Sequence, residues 1–267
     1  MKKKKNIIYE KKLPLQGVGG HLTFLGTGTS TGVPQIGCNC DVCTSENPKD
    51  KRLRSSILIQ INQTNILVDA GPDMRQQLLT HQINHLDGIL ITHEHYDHLG
   101  GIDDIRPLGE ASIYCEKNVA EAIYRTLHYC FAEKKYPGVP KIELVEIDEE
   151  PFFLNDIEVI PIRVLHAKLP ILGFRIGDFA YLTDVKTIPE QSYKKLEGLK
   201  TLVINALRKE EHIAHLNVQQ AIEIAEKINA ETTYFTHFSH HLGLHDEIEK
   251  QMPKKIRLSF DNLTINL

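Results

Sequence analysis

The sequence predicts an α/β or α+β protein in which β-sheets are covered by helices. About ten short apolar runs bounded by turn residues read as strands, and a few longer stretches with apolar residues three and four apart read as helices. Past residue 20, no Pro/Gly/Ser-rich linker and no low-complexity segment divides the 267-residue chain, so 21–267 reads as one domain. Residues 1–20, with Lys2 to Lys5, Lys11 and Lys12, read as a solvated basic tail. Leu13-Pro14-Leu15-Gln16-Gly17 supplies no apolar stretch of the kind that follows a signal n-region, and the expected location is cytoplasmic.

Taken in order, the expected strands are Leu22 to Leu25, Ile57 to Ile61, Ile66 to Asp69, Gly88 to Thr92, Ile113 to Cys115 and Ile142 to Ile147. Ile157 to Val164, Gly173 to Ile176, Ala180 to Thr183, Leu202 to Ala206 and Thr232 to Thr236 follow. Asn62-Gln63-Thr64-Asn65 joins the second and third as a hairpin. Helices are expected over Asp73 to His81, Asn118 to Cys130, Asn217 to Asn229 and Leu244 to Met252. In the third, Val218, Ala221, Ile222, Ala225 and Ile228 mark one face and Asn217 is placed to cap it.

With 31 Lys+Arg against 35 Asp+Glu the formal charge is −4, which gives no general field for nucleic acid, and no nucleic-acid partner is expected. No apolar run approaches the roughly 18 residues of a membrane span. Five cysteines are an odd number, and three of them cluster, which speaks against a disulfide framework. Cys115 and Cys130 read as buried small hydrophobes.

Histidine is abundant, at 14 copies, and its distribution matters more than its number. Thr92-His93-Glu94-His95-Tyr96-Asp97-His98 follows a buried strand. Histidines two apart on an extended segment point the same way, and Asp97 and His98 in the following turn face that point from another side. Four such groups exceed what one tetrahedral zinc takes from a single loop, so two metals sharing it is the economical reading. His166, Asp184 and His237 each stand just after an apolar run, where a strand end can project them over a common rim. The dipeptide Thr-His closes two strands, at Thr92-His93 and Thr236-His237, which fits one shared edge.

Cys38-Asn39-Cys40-Asp41-Val42-Cys43 offers three thiolates that suit a structural zinc and call for a fourth ligand. The preceding Gly26-Thr27-Gly28 lacks the rest of a phosphate-binding motif and reads as a tight turn from a strand into that cluster. His212 and His215 lie on the loop between the strand at Leu202 and the helix at Asn217, a loop that reaches the same rim; His212 reads as a surface residue.

His93, His95, Asp97 and His98 form the His-x-His-x-Asp-His loop of the metallo-β-lactamase superfamily, which the chain resembles over nearly its whole length past the tail. The resemblance implies an αββα four-layer sandwich with a dinuclear site on one edge. It implies one divalent ion, zinc or manganese, on His93, His95 and His166 and another on Asp97, His98 and His237. Asp184 would bridge the two, and Asp69 would steady the loop by hydrogen bonds. The cysteine cluster is similar to that of the PhnP-like branch, phosphoribosyl cyclic phosphodiesterases. There a structural zinc on the matches of Cys38, Cys40 and Cys43 is completed by a histidine at the place of His240, with His241 the rival. In that branch His215 stands where the leaving group is protonated.

The implied activity is dinuclear hydrolysis of a small cyclic sugar phosphodiester such as 5-phosphoribosyl 1,2-cyclic phosphate. His215 and Asp97 would be catalytic, the partners a small molecule and at most a second copy of the chain. Two alternatives stand beside it: a tRNA 3′-processing endonuclease, and a catalytically silent binding protein on the same fold. The first needs a long arm between the positions of His166 and Asp184, where this chain has 18 residues. The second loses metal ligands, and here every position is filled.

Overall fold

A computed structural model describes residues 19–267, so all of the basic tail except its last two residues lies outside the described part. Along the chain the strands are β1 (Gly20–Gly26), β2 (Ser56–Ile61), β3 (Thr64–Val68), β4 (Gly88–Leu90), β5 (Glu110–Cys115), β6 (Lys141–Glu146) and β7 (Phe152–Leu154). They continue with β8 (Ile157–His166), β9 (Leu169–Ile176), β10 (Phe179–Leu182), β11 (Thr201–Asn205), β12 (Thr232–Thr236), β13 (Ile256–Leu258) and β14 (Thr264–Asn266). The α-helices are α1 (Asp41–Thr44), α2 (Met74–Thr80), α3 (Tyr96–Leu99), α4 (Lys117–Thr126), α5 (His128–Phe131), α6 (Glu190–Tyr193), α7 (Val218–Ile228) and α8 (His245–Glu249).

Two sheets result, ordered β14-β1-β2-β3-β4-β5-β6 and β13-β12-β11-β10-β9-β8-β7. Each combines antiparallel pairs with a parallel run, β3 to β6 in one and β10 to β13 in the other. Inner strands of the parallel runs are buried on both faces, which is why Ile66-Leu67-Val68 and Leu202-Val203-Ile204 are apolar without interruption. Alternation along them sorts the layers. Phe24, Ile57, Ile59, Val68 and Leu90 meet Leu172, Phe174, Tyr181 and Val203 between the sheets. Leu58, Leu67, Ile89 and Ile113 face Met74 and Leu78 of α2 and Val119 and Ile123 of α4 on one outer side. Leu182, Leu202, Ile204 and Phe235 face Ala221 and Ala225 of α7 on the other. The architecture is the expected helix–sheet–sheet–helix sandwich.

Helix α7 forms as the sequence predicts. Asn217 accepts from Gln220 N at 2.8 Å, and the Gln220 side chain accepts from Asn217 N in return. The predicted helix Asn118 to Cys130 is instead two helices. Thr126 Oγ1 donates back to Ala122 O, and Leu127 leaves helical geometry to bury its side chain with Cys130. The helix expected over Leu244 to Met252 covers only His245–Glu249 before the turns that precede Pro253. β7, β13 and β14 are three-residue strands with no expected counterpart, too short to show periodicity. Cys115 and Cys130 are fully buried.

The fold positions a site because β3, β4, β10, β11 and β12 deliver their carboxyl ends to one edge, where crevices form. Two glycines let the loops cross there. A Cβ on Gly71 would strike the Asp97 carbonyl and one on Gly101 the Gly71 carbonyl, so only bare backbone fits where the 69–71 turn meets the 97–101 segment. Ala70 N donates to His98 O and Gly101 N to Ala70 O, locking the crossing. Among the described residues no helix is long and apolar enough to cross a membrane.

Candidate metal centre

Three of the candidate site residues at this edge have left-handed backbone: Asp69 (φ 64°), Asp184 (φ 57°) and His237 (φ 61°). Asp69 and His237 directly follow β3 and β12, and Asp184 stands one residue further on, after Thr183, beyond the end of β10. The turn swings each side chain back over the strand end, a conformation that surrounding contacts must enforce. For Asp184 they come from Asn205 at the end of β11, which accepts from Val185 N at 2.6 Å and donates to Val185 O at 3.1 Å. Nothing in the sequence pattern distinguishes Asn205 from an ordinary strand-end residue.

The His93 to His98 loop hangs from Asp69. Thr92 N and Thr92 Oγ1 donate to Asp69 Oδ1 at 2.9 and 3.0 Å, and His98 Nδ1 donates to Asp69 Oδ2 at 2.7 Å. His93 Nδ1 lies 2.9 Å from Thr92 Oγ1. Both imidazoles are thereby turned so that Nε2 faces the crevice. His166 Nδ1 donates to Ala214 O at 2.9 Å, which frees its Nε2 in the same way. This is how metal-ligating histidines are oriented, with the second nitrogen spent on a support. In the sequence Thr92 stands out only as part of the repeated Thr-His. The repeat shares place rather than chemistry, because Thr236 Oγ1 is buried without a partner, while His237 leans on Thr29 and Thr183 at 3.2 and 3.4 Å.

The predicted residues converge. Ligand-type atoms of His93, His95 and His166 lie within 4.8 Å of one another, as do those of His93, His98 and Asp184 and those of His166, Asp184 and His215. His93 Nε2 stands 3.0 Å from His95 Nδ1. Asp184 Oδ2 is 3.3 Å from both His98 Nε2 and His237 Nδ1, and Asp97 Oδ2 is 3.2 Å from His98 Nε2. His98 Nε2 nevertheless makes no hydrogen bond, and His215 Nδ1, 3.6 Å from Asp184 Oδ1, is likewise orphaned. Buried nitrogens without hydrogen bonds, ringed by carboxylates and other imidazoles, fit divalent cations. His212 is half-buried rather than a surface residue, its ring centroid 5.0 Å from that of His215.

Electrostatics agree. Burial and the neighbouring His98 push the His93 imidazole well below its ordinary range. Burial would do the same to His98, but Asp69, Asp184 and Asp97 hold it well above. Burial would raise the Asp184 carboxyl, but His237 and His98 keep it well below. His215 is pushed down to about 3 by burial, partly offset by Asp184. So many tightly packed titrating groups are the environment of a reactive site.

A second cluster lies beside it. Cys38, Cys40, Cys43 and His240 offer ligand atoms within 4.8 Å of one another, with His240 Nδ1 3.3 Å from Cys38 Sγ and 3.4 Å from Cys40 Sγ. A tetrahedral zinc with bonds of about 2.0–2.3 Å spaces its ligands by roughly 3.5 Å. His241 is not in the cluster. The His240 hydrogen bond lowers the Cys40 thiol to about 6, whereas burial lifts Cys43 to about 11. Cys40 is exposed, so the cluster sits at the surface.

The interval from His166 to Asp184 is filled by β9 and β10, which pair antiparallel with each other and leave no arm. The Beta-lactamase superfamily domain family matches residues 64–238. A protein of Porphyromonas gingivalis named octanoyltransferase is 44% identical over 246 residues, a match covering 90% of this chain and 50% of that protein. The chain thus spans about half the length of that curated relative. Among solved structures, a diphosphatase from the PhnP family is 37% identical with a TM-score of 0.88, covering 93% of this chain and 97% of that one. The short form of human tRNase Z, 21% identical with a TM-score of 0.68 over 92% of this chain and 98% of that one, shares the fold. The chain belongs to the metallo-β-lactamase superfamily, in its PhnP-like branch.

Proposed function

We propose that the chain hydrolyses a small phosphodiester, with a cyclic sugar phosphodiester such as 5-phosphoribosyl 1,2-cyclic phosphate as the reading to test first. The observation that carries it is the place of Asp184, whose Oδ2 is 3.3 Å from ligand-type nitrogens on both sides, His98 and His237. A carboxylate so placed suits two cations at once. His93, His95 and His166 would hold one and Asp97, His98 and His237 the other, and zinc and manganese both suit these donors. Such a pair supplies an acidified water and neutralises charge on the phosphoryl oxygens.

The chain's own residues do the rest. Asp69 and Thr92 fix the directions of His93 and His98. Asp97 contributes negative charge on the side of His98. His215, whose imidazole is pushed down to about 3 by burial, stands 3.6 Å from Asp184 on the loop after β11. An anionic phosphoryl group beside it raises an imidazole's proton affinity, so His215 would carry a proton in the complex and deliver it to the departing oxygen. Cys38, Cys40, Cys43 and His240 would hold a structural zinc that fixes the segment after His237.

A second reading, hydrolysis of a diphosphate, is favoured by the named activity of the PhnP-family relative at 37% identity. Octanoyl transfer names a protein of which this chain matches half, and it is not carried over. A panel of bis(p-nitrophenyl) phosphate, cyclic ribose phosphodiesters and nucleoside diphosphates, assayed with Mn²⁺ or Zn²⁺, separates the readings. Metal-dependent release from the cyclic esters is expected; turnover of diphosphates alone would replace the first reading with the second.

A further inference from the structure

The apolar run Leu202-Val203-Ile204 of β11 ends on a polar residue that is fully buried, Asn205. Both ends of its amide are paired with one residue beyond the neighbouring strand: Oδ1 accepts from Val185 N at 2.6 Å and Nδ2 donates to Val185 O at 3.1 Å. Parallel pairing of β10 with β11 stops at Leu182 and Ile204, so the side-chain amide takes over where the backbone ladder would have continued. Val185 directly follows Asp184, whose left-handed backbone (φ 57°) is a conformation that a non-glycine holds only when its surroundings impose it. The carboxylate is held separately, by Thr183 Oγ1, which donates to Asp184 Oδ2 at 2.6 Å.

The same node reaches two other parts of the centre. Val185 O also accepts from Leu216 N at 2.9 Å, and Leu216 follows His215, whose Nδ1 is 3.6 Å from Asp184 Oδ1. Leu207 N donates to Leu216 O, which closes the base of the His215 loop. Ala206 N donates to Thr236 O and Ser239 N to Leu207 O, on either side of His237. Residues 205–207 therefore tie together the turns of Asp184 and His237 and the loop of His215. Of the three, Asn205 alone makes its tie with a side chain, so this tie can be removed by substitution while the backbone ones remain. Its removal leaves two buried backbone groups of Val185 with only the Leu216 amide between them, which is costly in a site closed to water.

We infer that Asn205 is a positioning residue that fixes Asp184 between the two halves of the metal centre and, through Val185, sets its separation from His215. Its amide is spent on Val185, so it acts on the centre through Asp184 and His215 and not by contact with substrate. The inference rests on the dinuclear phosphohydrolase reading for what Asp184 and His215 do; the clamp itself stands without it. Asn205→Leu keeps the approximate size and removes both hydrogen bonds, whereas Asn205→Ala leaves a cavity as well. A merely structural role would lower stability without singling out the centre. Val203→Ala supplies that comparison, because Val203 is fully buried two residues earlier in β11 and its side chain has no polar atom.

The test begins with metal binding. Metal-free full-length protein, as wild type, N205L, N205A and V203A, is titrated with Zn²⁺ against a chromophoric chelator, and melting temperatures are measured in parallel; N205A carries the test if N205L is not recovered folded. Affinity of the histidine–aspartate centre should fall by about 10- to 100-fold in the Asn205 variants, and that of the cysteine cluster, none of whose ligands hangs on Val185, should stay within about threefold. V203A should keep the affinity of the centre within about threefold of wild type although it too lowers the melting temperature. At saturating zinc the Asn205 variants should lose about tenfold more turnover on a cyclic ribose phosphodiester, which needs the His215 proton, than on bis(p-nitrophenyl) phosphate. Unchanged affinity in both Asn205 variants, an equal fall in V203A, or equal losses on the two esters overturns the inference. A wild type that holds one ion in the centre, or that hydrolyses neither ester, removes the functional reading instead, and the dependence of zinc affinity on Asn205 is read all the same.

Discussion

Asp69 Oδ2 accepts a 2.7 Å hydrogen bond from His98 Nδ1, and neither side chain is exposed to solvent. The same carboxylate receives Thr92, so one buried acid sets the direction of His98 and, through Thr92, of His93. Asp69→Asn keeps the shape and replaces one acceptor with a donor that opposes His98 Nδ1–H. Such supports typically contribute 10- to 100-fold in metal affinity. Competition with a chromophoric chelator should show a loss of about that size in Asp69→Asn, and full retention of affinity would reduce Asp69 to a packing role.

The cysteine cluster adjoins the centre through the backbone. Thr29 N donates to Phe238 O and Phe238 N to Thr27 O, flanking His237, with His240 in the turn that follows. Cys40→Ser should lose the structural zinc and lower the melting temperature by several degrees, because thiolate-bound zinc contributes folding free energy. Turnover of the remaining folded, metal-loaded protein should fall less than tenfold. Abolished activity at unchanged stability would place the cluster in the chemistry instead.

His215 separates a proton donor from a ligand. With a cyclic ribose ester the departing alkoxide needs a proton, typically by about a hundred- to ten-thousandfold, whereas nitrophenolate leaves without one. His215→Ala should therefore cost far more on the cyclic ester than on bis(p-nitrophenyl) phosphate. Its ligand-type atom lies with those of His166 and Asp184, so metal analysis of the variant is decisive: a lost ion would make His215 a ligand.

Away from the centre, Arg52 Nη2 donates to His245 Nδ1 at 2.9 Å, and burial with the Arg52 charge pushes His245 from 6.5 to about 4. Between those values the unfolded chain binds a proton that the folded one does not, so this group's contribution is present above pH 6.5 and is lost as pH falls toward 4. Asp261, raised from 3.8 to about 6 by burial, acts in the opposite sense. His245→Gln keeps an acceptor for Arg52 and removes the titration. Urea unfolding at pH 7 and 5 should show the variant losing less stability than wild type, by a margin on the order of 1–2 kcal/mol. Equal losses would show that His245 does not titrate in this way.

Much of this arrangement was legible in the sequence because its signals are local. A buried strand followed by His-x-His-x-Asp-His, and three thiols within six residues, are dense enough to announce metal chemistry. His166, Asp184 and His237 were legible only as polar residues at strand ends, and the sheet order is what brings them to one edge. What could not be read depends on tertiary contact. The left-handed turns at Asp69, Asp184 and His237 are imposed by surroundings, as the Asn205 clamp on Val185 shows. The short edge strands β7, β13 and β14 are defined by their partners and not by their own pattern.

The central claim is two cations held on either side of Asp184. Elemental analysis of protein prepared without chelator, combined with titration of the apoprotein against bis(p-nitrophenyl) phosphate turnover, tests it directly. The account predicts about three metals per chain, two of them required for turnover and one bound to the cysteine cluster. In Asp184→Ala the ratio should fall toward two or below and turnover should be lost. Full activity at one metal in the histidine cradle, or an active Asp184→Ala protein, would contradict it.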